Sequence, residues 1–349
     1  MRGKFHELYW RVIERSFSGL NHEETRLNGN ERTTLGDTQL SVSRLCFGTS
    51  ALGDMPDTYN YVVDEERALS TIRAIFESPV NFLDTSRIYG HGRSEQRIGK
   101  VIQEIGGLPD DFVISTKIDR NWETNKFDAS QARRSLEESL QALGLEKLQL
   151  VHLHDPEYAS SLEDVTGTNG ALRELCLMKE EGLVEATGLA AGKVDTMMPI
   201  LRNWELDAII THNRFTLLNR NAEEMIEFAK QKGMAVLNAA PYASGVLAKG
   251  STAYPQYVYM PADDSILELT QKLEEICNRF KIPLGALALQ FSVQDPRILS
   301  TICGISKPER ISETLQWLEW DIPPGVWEEL DSFPSSKEDP EASRVYNSG

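Results

Sequence analysis

Short apolar runs alternate with longer amphipathic segments from about residue 36 onward. Each run is too short for a helix and ends in turn residues, which is typical of a buried strand. Eight such runs are present, at residues 44–50, 81–86, 111–118, 148–155, 184–191, 206–213, 234–241 and 298–306. Segments with helical spacing follow them, at residues 65–77, 94–104, 129–143, 170–181, 193–203, 222–232, 266–280 and 308–318.

This order predicts an α/β fold, because near-continuous apolar strands separated by helices form a parallel sheet that helices cover. Eight strand–helix units predict a closed (β/α)8 TIM barrel. The open doubly wound sheet is the alternative, but "GTSALGDMPD" after the first run lacks the glycine-rich phosphate loop of that fold. The stretch "LGDTQLSV" (35–42) predicts an N-terminal β-hairpin cap.

Composition narrows the class of protein. The chain has 349 residues, of which 40% are hydrophobic, and a net charge of −17, which disfavours nucleic acid and anionic membranes as partners. The four cysteines have no metal-ligand spacing, which favours a reducing, cytoplasmic location. We expect no membrane span and no export signal.

Three regions are expected along the chain. Residues 1–35 are predicted to be an N-terminal extension and linker, residues 36–335 the barrel, and residues 336–349 a flexible C-terminal tail. The expected assembly is a monomer or a small homo-oligomer that binds a small molecule.

Reactive side chains end three neighbouring strand runs. Asp84, Lys117 and His154 end the second, third and fourth runs, and Tyr89 lies just after the second. In a barrel, the carboxyl ends of the strands converge on one mouth, so these four side chains should meet there. Each alone has an ordinary structural explanation, and His152, on the same strand face as His154, is an alternative to it.

The four together suit proton transfer to or from an oxygen atom. A free tyrosine keeps its proton up to a pH of about 10, and a nearby ammonium lowers that value. Lys117 would supply the charge, Asp84 would hold the lysine, and a histidine would orient the substrate oxygen or help pass the proton. Hydride transfer, which requires a cofactor, is the natural partner reaction.

The chain resembles the aldo-keto reductase family from about Leu35 to Leu318. The similar segments are "FLDTSRIYGHGRSEQRIGKVI", "STKI", "LGLEKLQLVHLHDPE", "APYASGVLAKG" and "ICGISKPERISETL". The "HDP" ending and "NAAPYASGVL" look most like the aldose-dehydrogenase branch, which includes D-threo-aldose, L-fucose and L-galactose dehydrogenases and pyridoxal 4-dehydrogenase.

The resemblance implies an NAD(P)-dependent oxidoreductase acting on an aldose or related hydroxylated carbonyl. It implies Tyr89 as general acid and base, Lys117 and Asp84 as its tuning pair, and His154 as the residue that orients the substrate. The implied cofactor contacts are Gly48, Thr49, Ser244, Val246, Gly304, Ser306, Lys307, Arg310, Glu313 and Thr314. Lys307 and Arg310 slightly favour NADP over NAD.

The chain departs from the family around the nicotinamide. In many family members a serine–asparagine pair at the end of the fifth strand holds the amide of the nicotinamide. Ala190 and Ala191 replace that pair here, so we expect Asn213, Asn238 and Arg214 to bind the amide instead. We expect Trp122 and Tyr59 to wall the substrate pocket with His154, and residues 251–264 to form a lid. Two other functions stay open: a cofactor-sensing binding protein with vestigial redox activity, and a sugar-phosphate isomerase or aldolase.

Overall fold

The structure is a computed structural model that describes residues 28–29 and 31–344. Most of the expected N-terminal extension, and residues 345–349 of the expected tail, lie outside the described residues. Among the helices of the described part, none is both long and apolar enough to cross a membrane.

The eight predicted strands are confirmed, and they close into a parallel barrel in which the last strand pairs with the first and with the seventh. The strands are β1 (Leu45–Gly48), β2 (Phe82–Asp84), β3 (Val113–Ile118), β4 (Leu148–His154), β5 (Val184–Ala191), β6 (Ala208–His212), β7 (Ala235–Ala239) and β8 (Ser300–Gly304).

The eight predicted helices are also confirmed, with small differences at their ends. They are Glu65–Phe76, Arg93–Glu104, Ala129–Leu143, Ala171–Glu180, Val194–Asn203, Glu223–Gln231, Asp264–Phe280 and Glu309–Leu318. Three begin after Asp64, Asp128 and Asp263, whose carboxylates each accept a hydrogen bond from a first-turn N–H group.

Other helical segments were not predicted. Two are longer helices, Leu284–Val293 and Pro324–Asp331, and three are single turns at Pro56–Tyr59, Leu162–Thr166 and Val246–Lys249. Short 3₁₀ segments occupy Ser50–Gly53, Pro156–Tyr158 and Ala243–Gly245.

Alternate strand residues face the barrel interior and the surrounding helices. The inner cluster contains Cys46, Phe82, Val113 and Leu150, whereas their strand neighbours belong to the outer core under the helices. This alternation is what aims the side chains near the strand ends into the mouth.

Two antiparallel hairpins flank the barrel in the part of the chain that the structure describes. The predicted cap is confirmed: Arg32–Thr34 pairs with Ser41–Ser43, and the buried Leu35 and Leu40 of its loop join the inner cluster. A second hairpin, Gln256–Tyr257 with Met260–Pro261, lies within the predicted lid.

The described part of the expected tail contacts the barrel. Arg220 N donates to Ser336 O at 2.7 Å, and Glu341 and Asp339 form ion pairs with Arg214, whose side chain is fully buried. Residues 336–344 are therefore held in place, because two carboxylates neutralise a buried guanidinium.

Candidate active site

A buried ion pair joins β2 to β3 at the mouth. Lys117 Nζ lies 2.9 and 2.8 Å from the two carboxylate oxygens of Asp84, and it donates to Thr85 O at 2.6 Å. Both charged side chains are almost fully buried. Three acceptors around one ammonium offset the cost of burying the pair and fix the lysine in one position.

Tyr89 lies directly over this ion pair. Lys117 Nζ is 5.0 Å from the centroid of the Tyr89 ring. Burial and the neighbouring Asp84 carboxylate raise the pKa of Tyr89 well above its usual value. The expected lowering of the pKa of Tyr89 is therefore not found in this structure, because burial and the Asp84 carboxylate dominate. Tyr89 is a protonated phenol.

His154 completes the group from β4. Its ring lies against Tyr89 in a T-shaped arrangement, with 6.2 Å between centroids. Its Nδ1 is 2.5 Å from Asp119 Oδ1. Burial by itself lowers the pKa of this imidazole, but Asp155 and Asp119 outweigh burial, so the pKa of His154 is raised.

The other candidate, His152, lies deeper in the barrel. It is fully buried, and its Nδ1 is 3.3 Å from Ser115 Oγ, which donates to Asp84 Oδ1 at 2.9 Å. Burial and the charge of Lys117 lower the pKa of His152 well below its usual value. His152 is therefore a neutral interior residue, and the mouth position belongs to His154.

Sequence reasoning missed two polar residues of this cluster, Ser115 and Asp119. Each is two positions from Lys117: Ser115 shares the inward face of β3 with Lys117, and Asp119 directly follows the last residue of the strand. That spacing was the signal by which both residues could have been found.

Cations gather where the resemblance places a cofactor phosphate. Partial burial and the charges of Arg310 and Lys307 lower the pKa of Lys249, a residue that sequence reasoning did not name. Three positive side chains that repel one another fit a site for an anion. Gly304 is exposed, and a side chain built there would meet nothing within 4 Å, which leaves room for a ligand.

Two other predicted cofactor residues come together beside the mouth. Ser244 Oγ donates to Asn213 Oδ1 at 3.3 Å, and both residues have left-handed backbone, with φ of 62° and 59°. Arg310 forms an ion pair with Glu313 at 2.5 Å. Ser306 receives a hydrogen bond from Arg67 on its carbonyl and does not cap the following helix.

Several predicted cofactor contacts do not face the mouth. Asn238 points outward from β7 and donates to Phe215 O at 2.9 Å and Ser292 Oγ at 2.7 Å. The hydroxyl of Thr49 donates to Asp84 O at 3.0 Å. In this structure their polar atoms are bound within the barrel wall, and their assignment as cofactor ligands stays a prediction.

The other residues predicted to contact the cofactor are buried in the barrel or bound to other parts of the chain. Thr314 is fully buried and donates to Arg310 O at 2.7 Å, and Val246 is also fully buried. Gly48 lies in the inner wall, where an added Cβ would be 3.1 Å from Ile302. Arg214 donates hydrogen bonds to Glu341 and Asp339 of the C-terminal residues.

The predicted substrate residues lie at the rim. Trp122 is 47% exposed, and its ring is tilted against that of His91 with 5.2 Å between the centroids. Tyr59 donates to Ser50 Oγ at 2.7 Å, and its ring meets that of Tyr259, from the second hairpin, at 6.2 Å. The rim is therefore partly aromatic.

The sequence is similar to known proteins over most of its length. The model of the aldo/keto reductase family matches residues 44–334. Pyridoxal 4-dehydrogenase of Microbacterium luteolum is 27% identical, with 88% of this chain and 98% of the relative covered. L-Galactose dehydrogenase of Arabidopsis thaliana is 29% identical, with 82% and 87% covered.

A solved structure supports the fold. The holo form of an aldo-keto reductase from Bacillus halodurans superposes with a TM-score of 0.71 at 21% identity, covering 88% of this chain and 97% of that one. With a family match over most of its length and the closed barrel described above, the chain belongs to the aldo/keto reductase family and is an NAD(P)-dependent oxidoreductase.

Proposed function

We propose that this enzyme transfers hydride between NAD(P) and an aldose or a related hydroxylated aldehyde, with Tyr89 as the general acid and base. The observation that carries the proposal is the buried Asp84–Lys117 pair beneath the protonated Tyr89, with His154 beside the phenol. This group can hold and move one proton at one oxygen atom.

Each residue has a distinct task. Asp84 fixes Lys117, and the ammonium stabilises negative charge as it develops on the Tyr89 oxygen during transfer. Tyr89 gives its proton to the carbonyl oxygen in reduction and takes it back in oxidation. His154 orients that oxygen. A bound nicotinamide would supply or take the hydride.

The cation cluster supports the cofactor assignment. A phosphate of the dinucleotide would be held by Lys307, Arg310 and Lys249. Gly304 and Ser306 would line the space next to this phosphate, and Glu313 is bound to Arg310. An extra ribose phosphate would add two negative charges to this cluster, so we propose NADP as the preferred coenzyme. Asn213 and Ser244 would contact the cofactor beside the mouth.

The substrate class rests on the rim and on the relatives. One relative is named for L-galactose, an aldose, and another for pyridoxal, an aldehyde. Trp122 and Tyr59 would provide aromatic walls against which a hydroxylated substrate could pack, with His154 as a polar partner.

Replacing Tyr89 with phenylalanine tests this function. We expect Tyr89→Phe to lower kcat by about 10²- to 10⁴-fold, since the proton donor is removed. Dinucleotide affinity, measured by fluorescence titration with NAD and NADP, should stay nearly unchanged. The assay would use a panel of aldoses and pyridoxal-like aldehydes, with Tyr257→Phe as a matched control.

The outcomes separate the alternatives. Normal turnover by Tyr89→Phe would contradict the role of the phenol. Tight dinucleotide binding by a wild-type chain that turns over no substrate of the panel would favour the cofactor-sensing function instead.

A further inference from the structure

An arginine at the rim of the mouth has no acidic partner. Arg120 lies two residues beyond the end of β3, and its Nε donates to Asn125 Oδ1 at 2.8 Å. Within the part of the chain that the structure describes, its guanidinium makes no other hydrogen bond and no ion pair. By contrast, Arg133 and Arg279 on the outer helices are each bound to a glutamate. The two terminal nitrogens of Arg120 are therefore open to a ligand.

Two aromatic rings hold the side chain of Arg120 in position. Its guanidinium carbon lies 3.8 Å from the centroid of the Tyr158 ring and 5.3 Å from that of the Trp122 ring. The hydroxyl of Tyr158 accepts a hydrogen bond from Arg344 Nη2 at 3.0 Å, which fixes that ring in turn. These contacts and the bond to Asn125 orient the guanidinium before a ligand arrives, so binding costs little side-chain entropy.

The guanidinium of Arg120 adjoins the reacting group. The residue before it, Asp119, has its Oδ1 2.5 Å from His154 Nδ1. Consecutive Cα atoms are about 3.8 Å apart, so Arg120 begins next to a residue that touches the substrate-orienting ring. Tyr158, against which the guanidinium stacks, follows His154 by four residues in the loop after β4. Arg120 therefore lies on the side of the mouth where His154 lies.

The charges near Tyr158 favour a ligand with a single negative charge. Burial raises the pKa of Tyr158; among the charged groups, Arg344 and Arg120 oppose this rise and Asp155 adds to it. Arg344 is already bound to Glu341, which leaves Arg120 as the guanidinium to be neutralised. A carboxylate would neutralise Arg120, whereas the nearby Asp155 would repel the second charge of a phosphate dianion.

We propose that Arg120 binds a carboxylate of the substrate at the end remote from the carbonyl, so that the enzyme acts on hydroxylated aldehydes that are also acids, such as uronic acids. This inference rests on the proposed function. The two terminal nitrogens of a guanidinium can donate to the two oxygens of one carboxylate, a planar match that an ammonium lacks. With Tyr89 and His154 at the carbonyl oxygen, the substrate would be held at both ends.

Matched pairs of compounds test this inference in the wild-type protein. For oxidation the pairs are D-glucose with D-glucuronate and D-galactose with D-galacturonate, and for reduction benzaldehyde with 4-carboxybenzaldehyde, each assayed with NAD and with NADP. We expect kcat/KM to be about 10- to 100-fold higher for the acid of each pair, chiefly through a lower KM, because charge-assisted hydrogen bonds are gained. Added salt should reduce this advantage, since it screens a charge at the rim.

Replacing Arg120 gives the second test. We expect Arg120→Gln to bring the ratio of kcat/KM between acid and neutral compound to about 1, mainly by raising the KM for the acid. Arg120→Lys keeps the charge without the planar donors, so it should retain only part of the advantage. Arg279→Gln, in the outer helix Asp264–Phe280, is the matched control and should leave the ratio unchanged.

The results distinguish this inference from the proposed function. Turnover of the pairs with no advantage for the acids would overturn this inference alone. So would an advantage that persists in Arg120→Gln, or a higher kcat/KM for D-glucose 6-phosphate than for D-glucuronate. A wild-type protein that acts on no carbonyl or alcohol with either coenzyme would overturn the proposed function, and this inference with it.

Discussion

Single buried polar residues tie the barrel strands together below the mouth. Asp84, Ser115 and His152 come from three consecutive strands and form a chain of contacts at 2.9 and 3.3 Å. Gly188, directly opposite His152 on β5, leaves room for the imidazole. A Cβ at Gly188 would lie 2.3 Å from His152 Cδ2, so this space depends on the absence of a side chain.

Filling that space should disturb both stability and catalysis. We expect Gly188→Ala to lower the free energy of unfolding by about 1–3 kcal/mol, because the interior has no spare volume. It should also lower kcat, since a displaced His152 moves Ser115 against Asp84. Urea denaturation and steady-state kinetics would measure the two effects.

A second substitution shows whether the clash is the cause. The double variant Gly188→Ala with His152→Ala should recover part of the stability relative to the sum of the single changes, because the ring that clashes is gone while the Ala208 carbonyl oxygen, 2.8 Å from the new Cβ, remains. Simple additivity of the two losses would contradict this explanation. Gly304→Ala, where a side chain meets nothing, is the control for stability.

At the residue scale, the sequence led to the reacting side chains but not to their partners. Asp84, Lys117 and His154 were found because strand-end positions have a defined direction in a barrel. The outward direction of Asn238 was not predicted, since a polar residue in an apolar strand looks the same in sequence whether it faces the mouth or the helices. The two directions can be told apart only by counting alternate residues along the strand from one that is known to face inward.

At the scale of elements, the strands and amphipathic helices were predictable and the helix Leu284–Val293 was not. An amphipathic helix shows a stripe of apolar residues, and a buried strand shows a short apolar run. In "LGALALQFSV" eight of the ten residues are buried, so polar residues do not mark a solvent face. A helix that is apolar all round resembles a strand in sequence.

The packing of the helix Arg93–Glu104 on β3 makes stability depend on pH. Glu95 of this helix is fully buried and accepts a hydrogen bond from Thr116 Oγ1 at 2.6 Å. Burial raises the pKa of Glu95 to about 7. The unfolded chain loses this proton near its ordinary value of 4.5, whereas the folded chain keeps it to about 7. Stability therefore falls as the pH rises through this interval.

Glutamine at position 95 should remove this dependence. We expect Glu95→Gln to match the wild type at pH 4 and to exceed its free energy of unfolding by about 3 kcal/mol at pH 8. Denaturation by urea at the two pH values measures the difference, and other titrating groups cancel in the comparison. An equal effect of the substitution at both pH values would show that Glu95 is not the titrating group.

At the scale of the whole molecule, both described ends of the chain contact the barrel. The N-terminal hairpin buries Leu35 and Leu40 against the inner cluster, and the C-terminal residues Asp339 and Glu341 reach Arg214, next to the end of β6. The hairpin was predictable because its signal is local. The C-terminal contact was not, since the partners are 125 and 127 positions apart and carry no shared pattern.

Removal of the C-terminal contact should destabilise the whole barrel. A chain that ends at residue 335 would leave Arg214 buried without either carboxylate, and we expect a loss of about 3–5 kcal/mol in the free energy of unfolding. Adding Arg214→Met to this truncation should restore part of that loss, because an apolar side chain needs no counterion. Lys337→Ala in the full chain, at a side chain that is 77% exposed, should change stability little. Urea denaturation of the full chain and of the three variants measures these differences in the free energy of unfolding. A truncated chain as stable as the full one would show that these two ion pairs do not hold the fold together.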